Sequence, residues 1–112
     1  MTTPLPIEID VQAVAALQNS GEPFLLLDCR EQNEHDLVRI SGSKLIPMSE
    51  ITKRIDELEE FRDSRIVVHC HHGGRSLRVT NWLRGQGFSS AQNMSGGLHA
   101  WAEQLDSTLA RY

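Results

Sequence analysis

The sequence predicts an α/β fold with a small, mostly parallel central sheet of about five strands and helices on both faces. Short β-branched apolar runs alternate with segments of helical periodicity, and short turns connect them. Strands and helices that alternate in this way form a parallel sheet, because each helix carries the chain back across the sheet. At 112 residues, the chain is predicted to be one domain, 1–112, with a single core.

The first half of the chain contains predicted strands at 7–10, 24–27 and 44–46. Asp10 is a possible N-cap for a first helix, because its carboxylate can accept a backbone N–H of the first turn. A second, short helix is predicted at 31–38, between the second and third strands.

The second half begins with an amphipathic pattern. Ile51, Ile55 and Leu58 recur at helical spacing with charged residues between them, which predicts a helix with a charged, solvent-facing side. The run at 66–68 is apolar and β-branched and predicts a buried strand. The remaining predictions are a helix through 77–83, a weak strand at 91–94 and a helix through 98–105.

Charge and cysteine content limit the partners and the compartment. The formal net charge of −4 leaves no basic footprint, so nucleic acid is not an expected partner. Two cysteines in a chain of this size do not indicate a disulfide framework, which favours a cytosolic protein. Residues 1–8 lack a basic region followed by an apolar run, and no stretch reaches the length of a membrane span. The sequence therefore predicts a cytoplasmic protein without a membrane partner.

The strand at 66–68 leads to Cys70, which is therefore predicted at the carboxyl edge of the sheet, where open α/β folds place their chemistry. Only four residues separate Cys70 from Arg75, so the loop after the strand must turn tightly and can direct several backbone N–H groups towards the sulfur. With Ser76 as a cap of the next helix, the sulfur would face a helix N-terminus and the Arg75 guanidinium, and both favour a nucleophilic thiolate. The residues between Cys70 and Arg75 are His71, His72, Gly73 and Gly74.

Three histidines beside Cys70 raise the alternative of a Cys/His metal site. Neighbouring residues of a strand point to opposite faces, and no second Cys/His pair stands at the usual ligand spacing. No metal is therefore predicted. His71 and His72 are predicted to line the mouth of the pocket, where they could contact an anionic donor or receive a proton near neutral pH.

Asp28 and Arg30 follow the second strand and either form a structural ion pair beneath the loop or line the pocket, with structural support favoured. Cys29, between them, is predicted to be a packing residue. Arg75 is either a surface residue or, as its place before Ser76 favours, a residue that holds sulfonate-type oxygens or orients the loop.

The segment from Cys70 to Ser76, Cys-His-His-Gly-Gly-Arg-Ser, resembles the loop of the rhodanese (sulfurtransferase) family, which often reads C-x-x-G-x-R-S. The segments 26–30, 39–47 and 93–101 resemble further family signatures in the same order. One departure lies at 38–43, where Val-Arg-Ile-Ser-Gly-Ser replaces the frequent G-H-I-P-G-A and affects packing rather than chemistry. The resemblance implies a rhodanese-like fold with Cys70 as the catalytic residue.

The resemblance also implies a thiosulfate sulfurtransferase-type enzyme that needs no metal or organic cofactor. Sulfane sulfur would move from thiosulfate, polysulfide or a persulfide donor, through a Cys70 persulfide, to cyanide or a thiol acceptor. The loop lacks the C-G-x-G pattern linked to mercaptopyruvate enzymes, so that donor is less expected. The physiological donor and acceptor stay open.

Two other functions are alternatives. A sulfur-relay or binding module would depend on a protein partner that donates or accepts sulfur. A small phosphatase or arsenate reductase is disfavoured, because the loop here is C-x4-R, one residue shorter than the C-x5-R of phosphatases. No aspartate general acid can be assigned from the sequence either.

Overall fold

A computed structural model of the chain describes residues 5–110 and 112; residues 1–4, part of the N-terminal stretch interpreted above, lie outside the described residues. The elements in chain order are β1 (Glu8–Ile9), α1 (Val11–Ser20), β2 (Leu25–Asp28), α2 (Gln32–Leu37), β3 (Lys44–Leu45), a 3₁₀ helix (Ile55–Phe61), β4 (Ile66–His69), α3 (Gly74–Gly85), β5 (Ala91–Met94) and α4 (Gly97–Gln104).

Within the described residues, five parallel strands form one sheet in the order β1-β5-β4-β2-β3. This confirms the predicted mostly parallel α/β architecture. The central strands β4 and β2 pair in a register that sets Asp28 beside His69. One residue further on, the Cys29 N–H donates to the His69 carbonyl at 3.0 Å, so Cys29 lies beside Cys70 at the carboxyl edge of the sheet.

Alternating strand residues build a core on each face of the sheet, as the period of two along a strand requires. On one face, Leu27 and Val68 pack with Val79 and Leu83 of α3. On the other face, the buried cluster includes strand residues and residues of α1 and α4: Leu26, Val67, Val11, Val14, Leu98 and Trp101. The helices thus cover both faces, as predicted.

The first helix begins at the N-cap that the sequence predicts and ends at a glycine. Asp10 Oδ1 accepts the Ala13 N–H at 2.8 Å and caps the first turn of α1. Gly21 has a φ of +78° and ends the helix, because the left-handed conformation strains residues that carry a Cβ.

Two helix predictions require correction. The amphipathic segment at 51–58 is not one α-helix: turns precede a 3₁₀ helix at Ile55–Phe61, where the apolar residues Ile55, Leu58 and Phe61 recur every three residues and match its period. Ser76 does not cap α3, which begins two residues earlier with Gly73, at a φ of +113°, as its N-cap. The Ser76 hydroxyl is therefore free to serve the loop.

No helix in the described part of the chain is long and apolar enough to cross a membrane.

Candidate active site

The sulfur of Cys70 lies inside the turn that joins β4 to α3. Gly73 N–H donates to Sγ at 3.0 Å, Ser76 N–H lies 3.4 Å from it, and the Ser76 hydroxyl oxygen lies 3.3 Å from it. Gly73 makes this turn possible through its positive φ, and Cys70 is 2% exposed. The prediction of N–H groups directed at the sulfur agrees with this geometry.

These contacts favour the thiolate. Burial acts to raise the pKa of Cys70, but hydrogen bonds from the Ser76 hydroxyl and from backbone N–H groups of Ser76, Gly73 and His72 outweigh burial, so the pKa lies below its ordinary value. A lowered pKa increases the thiolate fraction, and the thiolate is the nucleophilic form of cysteine.

The N-terminus of α4 fixes the other side of the loop. The N–H groups of Leu98 and His99 donate to the carbonyls of Cys70 and His71, each at 2.9 Å. Gly97 permits this approach, because a Cβ there would lie 2.5 Å from the His71 oxygen and 2.6 Å from the Cys70 oxygen. Gly97 therefore lets the N-terminus of α4 pack directly against the loop and hold it in place.

Arg75 points to a carboxylate of α2. Its Nη1 and Nη2 donate to Glu34 Oε1 and Oε2 at 2.6 and 2.8 Å. Glu34 Oε2 also accepts from the Tyr112 hydroxyl at 2.9 Å, and that hydroxyl accepts from Arg30 Nη1 at 2.8 Å. The guanidinium is thus oriented by Glu34, which favours the loop-orienting role among those considered for Arg75.

Aromatic rings form a rim beside the loop. The His71 ring stacks between those of His72 and Tyr112, at centroid distances of 4.1 and 3.9 Å. The His99 ring lies 5.0 Å from the His72 ring, and His99 Nε2 lies 2.8 Å from Glu103 Oε1. Burial and the neighbouring His72 and His99 lower the pKa of His71, so this ring is largely neutral at neutral pH and takes a proton only at more acidic pH.

Asp28 and Arg30 form a fully buried ion pair, with Arg30 Nη2 2.8 Å from Asp28 Oδ2. Burial opposes ionisation of Asp28, but hydrogen bonds from Arg30 and His35 and the charge of His69 lower its pKa to about 2. Arg30 also donates to the Val38 carbonyl at 2.6 Å. These contacts tie the carboxyl end of β2 to α2, as structural support requires.

Cys29 is fully buried on the Cys70 face of the sheet, in the cluster that includes Val68 and Val79. Burial, followed by the nearby Cys70 and Asp28, raises the pKa of the Cys29 thiol. Both cysteines are free thiols. A buried, protonated thiol is a poor nucleophile, so Cys29 is a packing residue here.

Sequence analysis missed four contributors to the site: Glu34, Asn93, His99 and Tyr112. Asn93 offered a signal, because an amide side chain in a strand that lies in the middle of a parallel sheet needs a hydrogen-bond partner. The others are far from the loop in sequence and offered none. Across residues 5–110 and 112, no three His, Cys, Asp or Glu side chains converge as metal ligands.

Comparison with known proteins supplies the family. A family model described as Rhodanese-like domain matches residues 10–104. The adenylyltransferase and sulfurtransferase MOCS3-1 of Zea mays is 38% identical over 95 residues, and the match covers 80% of this chain and 20% of that protein. A sulfurtransferase of Allochromatium vinosum is 33% identical over 95 residues, covering 85% of this chain and 87% of that protein.

A solved structure supports the same family. The crystal structure of a rhodanese-like domain protein from Staphylococcus aureus superposes with a TM-score of 0.79 at 27% identity, covering 94% of this chain and 97% of that one. The chain spans about a fifth of the length of the maize relative. It therefore belongs to the rhodanese-like domain family, whose members here include proteins named as sulfurtransferases.

Proposed function

We propose that this protein is a sulfurtransferase that carries sulfane sulfur as a persulfide on Cys70. The observation that supports the proposal most directly is the set of donors around Sγ, two backbone N–H groups and the Ser76 hydroxyl. Donors placed in advance around a sulfur stabilise the negative charge of a thiolate and of a persulfide. They therefore serve both states that the reaction needs.

With thiosulfate as donor, the Cys70 thiolate attacks the outer sulfur. A new S–S bond forms to Cys70, the S–S bond of thiosulfate breaks, and its electron pair leaves with sulfite. Cyanide or a thiolate then attacks the terminal sulfur of the persulfide, and the Cys70 thiolate leaves. With cyanide the product is thiocyanate, and charge and atoms balance in both steps without a metal or an organic cofactor.

The loop residues have distinct roles in this scheme. The backbone of 71–76 holds the sulfur, and Arg75, oriented by Glu34, adds positive charge near the incoming anion. His71 and His72 contact the donor at the mouth of the site. Asp28 and Arg30 support the loop from β2. The 112 residues act as one domain, in the cytoplasm and without nucleic acid or membrane.

The test is the intact mass of the purified protein after incubation with thiosulfate. The wild type and Cys29→Ser should gain one sulfur atom that cyanide removes, whereas Cys70→Ser should gain none, because an alkoxide is scarcely populated at neutral pH. A sulfur gain in Cys70→Ser that disappears in Cys29→Ser would assign the chemistry to Cys29 and refute the proposal. No gain with thiosulfate or polysulfide would refute small-molecule donors.

A sulfur-relay module is the second candidate, because the similar region forms only a fifth of the maize relative. In that case a protein persulfide would supply the sulfur and the exposed rim around His72 would meet the partner. A loading rate that depends on a cysteine desulfurase, with none from thiosulfate, would favour the relay. Phosphate release is not expected, because the C-x4-R loop is a small enclosure for a tetrahedral oxyanion.

A further inference from the structure

The hydroxyl of Ser76 faces two hydrogen-bond acceptors. Its oxygen lies 3.3 Å from Cys70 Sγ and 2.5 Å from Asn93 Oδ1. A serine hydroxyl carries one hydrogen, so it donates to one of these atoms at a time. Ser76 is fully buried and Asn93 is 2% exposed, so bulk water does not supply a substitute donor. The sulfur and the amide oxygen therefore compete for the same proton.

The orientation of the Asn93 amide follows from its other neighbours. Its Nδ2 lies 3.0 Å from both carboxylate oxygens of Glu8 and 3.3 Å from the Gly73 carbonyl oxygen. All three atoms are acceptors, so the nitrogen must face them and the oxygen must face Ser76. A turned amide would set its oxygen against a carboxylate and a carbonyl. Glu8, on the edge strand β1, thus orients the Asn93 amide so that its oxygen faces the Ser76 hydroxyl.

The competition has a different outcome for each protonation state of the sulfur. When Cys70 is a thiol, its S–H can donate to the Ser76 oxygen while the Ser76 hydroxyl donates to Asn93. When Cys70 is a thiolate, the hydroxyl must turn to the sulfur, which leaves the Asn93 oxygen buried without that donor. An unpaired buried acceptor costs free energy, so Asn93 favours the thiol while the loop amides favour the thiolate.

We propose that Asn93 is a positioning residue that tunes the nucleophilicity of Cys70 by competing with the sulfur for the Ser76 hydroxyl proton. A thiolate of very low basicity is a weak nucleophile, and the best attacking thiol titrates near the ambient pH. Asn93 therefore keeps the sulfur basic enough to attack a donor. The inference rests on the proposed function only in taking Cys70 as the nucleophile.

Other groups act on the same sulfur. Arg75 on α3 interacts with Cys70 through its positive charge, the protonated thiol of Cys29 lies near Cys70 one residue after β2, and the His72 N–H adds to the loop donors. Glu8 on β1 contacts Asn93. All of these except Glu8 are unchanged in the variants below, so a shift in the titration of Cys70 reports on the contact between Ser76 and Asn93.

The test is the pH dependence of iodoacetamide alkylation, followed at Cys70 by peptide mass spectrometry. Asn93→Ala should lower the alkylation midpoint by about half to one pH unit, because the Ser76 hydroxyl can then donate to the thiolate without leaving an amide oxygen unpaired. In a Ser76→Ala background, Asn93→Ala should produce no further shift. Gln92→Ala is the matched control, since Gln92 is an equally buried amide that contacts Pro6 and Arg65 instead.

A midpoint that is unchanged or raised in Asn93→Ala, or an equal shift in the Ser76→Ala background, would overturn the inference. If Asn93→Ala does not fold, the comparison of Glu8→Ala with Glu8→Gln decides the question, because both remove the charge of Glu8 but only Ala frees the amide to turn. The midpoint of Glu8→Ala should lie below that of Glu8→Gln, and equal midpoints would overturn the inference. Alkylation needs no sulfur donor, so this result is independent of whether the proposed sulfur transfer occurs.

Discussion

Arg75 and Glu34 form a two-point ion pair, with nitrogen–oxygen distances of 2.6 and 2.8 Å. The pair joins the last loop residue before Ser76 to helix α2, and its side chains are 33% and 16% exposed. Hydrogen bonds from Arg75 outweigh burial and lower the pKa of Glu34 to about 2, so the carboxylate is charged at neutral pH. The guanidinium is thus held in one orientation at the edge of the site.

Replacing Arg75 should therefore affect the site in two ways. Arg75→Ala removes a cation and leaves the Glu34 carboxylate unpaired near the path of an anionic donor. We expect kcat/KM for thiosulfate to fall about tenfold to a hundredfold. In the double variant Glu34→Gln/Arg75→Ala, part of this loss should return, because the unpaired charge is gone.

Steady-state thiocyanate formation measures these effects. Arg78→Ala is the control, since Arg78 is exposed on the same helix. A double variant as slow as Arg75→Ala would show that Glu34 has no part in the loss. An unaffected Arg75→Ala would return this arginine to the surface alternative.

Gly97 should be intolerant of any side chain. Its φ is +59° and a Cβ would meet two loop carbonyl oxygens, so Gly97→Ala should lower the free energy of unfolding by about 2–4 kcal/mol. Gly74→Ala, where a Cβ would meet nothing within 4 Å, should change it by no more than about 1 kcal/mol. Urea titrations of both variants make the comparison, and equal stabilities would contradict the close packing of α4 against the loop.

His69 should make the protein less stable in mild acid. It is fully buried, and its Nε2 has no hydrogen-bond partner among the described residues. Burial lowers its pKa from 6.5 to about 4, so the unfolded chain binds a proton that the folded protein does not. The stability that neutral His69 contributes is therefore lost as the pH falls from 6.5 towards 4, by up to about 2 kcal/mol between pH 7 and pH 5.

Asp28 extends this loss at lower pH. The pKa of Asp28 is about 2 in the folded protein and 3.8 in the unfolded chain. The stabilisation by its carboxylate is therefore present above pH 4 and disappears as the pH falls towards 2.

Unfolding free energies at pH 7 and pH 5 test the His69 contribution. His69→Leu should flatten the pH dependence of stability over this interval. An equal pH dependence in His69→Leu and the wild type would be evidence against this role of His69.

The histidine rim should act on the donor. Replacing both His71 and His72 by Ala should raise the KM for thiosulfate or lower turnover, because two polar rings at the mouth of the site are lost. The ratio of wild-type to variant kcat/KM should be larger at pH 6 than at pH 8, since the lowered pKa of His71 delays its positive charge to acidic pH. Unchanged kinetics at both pH values would remove these residues from the site.

Local sequence determined the strands, most helix positions and the reactive loop. Apolar runs and helical periodicity are local signals, and Asp10 and Gly21 mark helix ends through their own side-chain and backbone preferences. Cys70 followed from a strand that ends at a short loop with two glycines. The family resemblance then led to the proposed sulfur-transfer chemistry, because its motif lies within seven consecutive residues.

Only the tertiary structure decided which distant side chains meet the loop around the sulfur. Glu34 meets Arg75 across 41 positions of sequence, and Asn93 meets Ser76 across 17. The sequence predicts that Ser76 caps a helix, but α3 begins two residues earlier. The Ser76 hydroxyl instead lies within hydrogen-bond distance of Cys70 Sγ and Asn93 Oδ1. Such contacts depend on which strands neighbour each other and in what register, and these long-range pairings leave no local pattern in the chain.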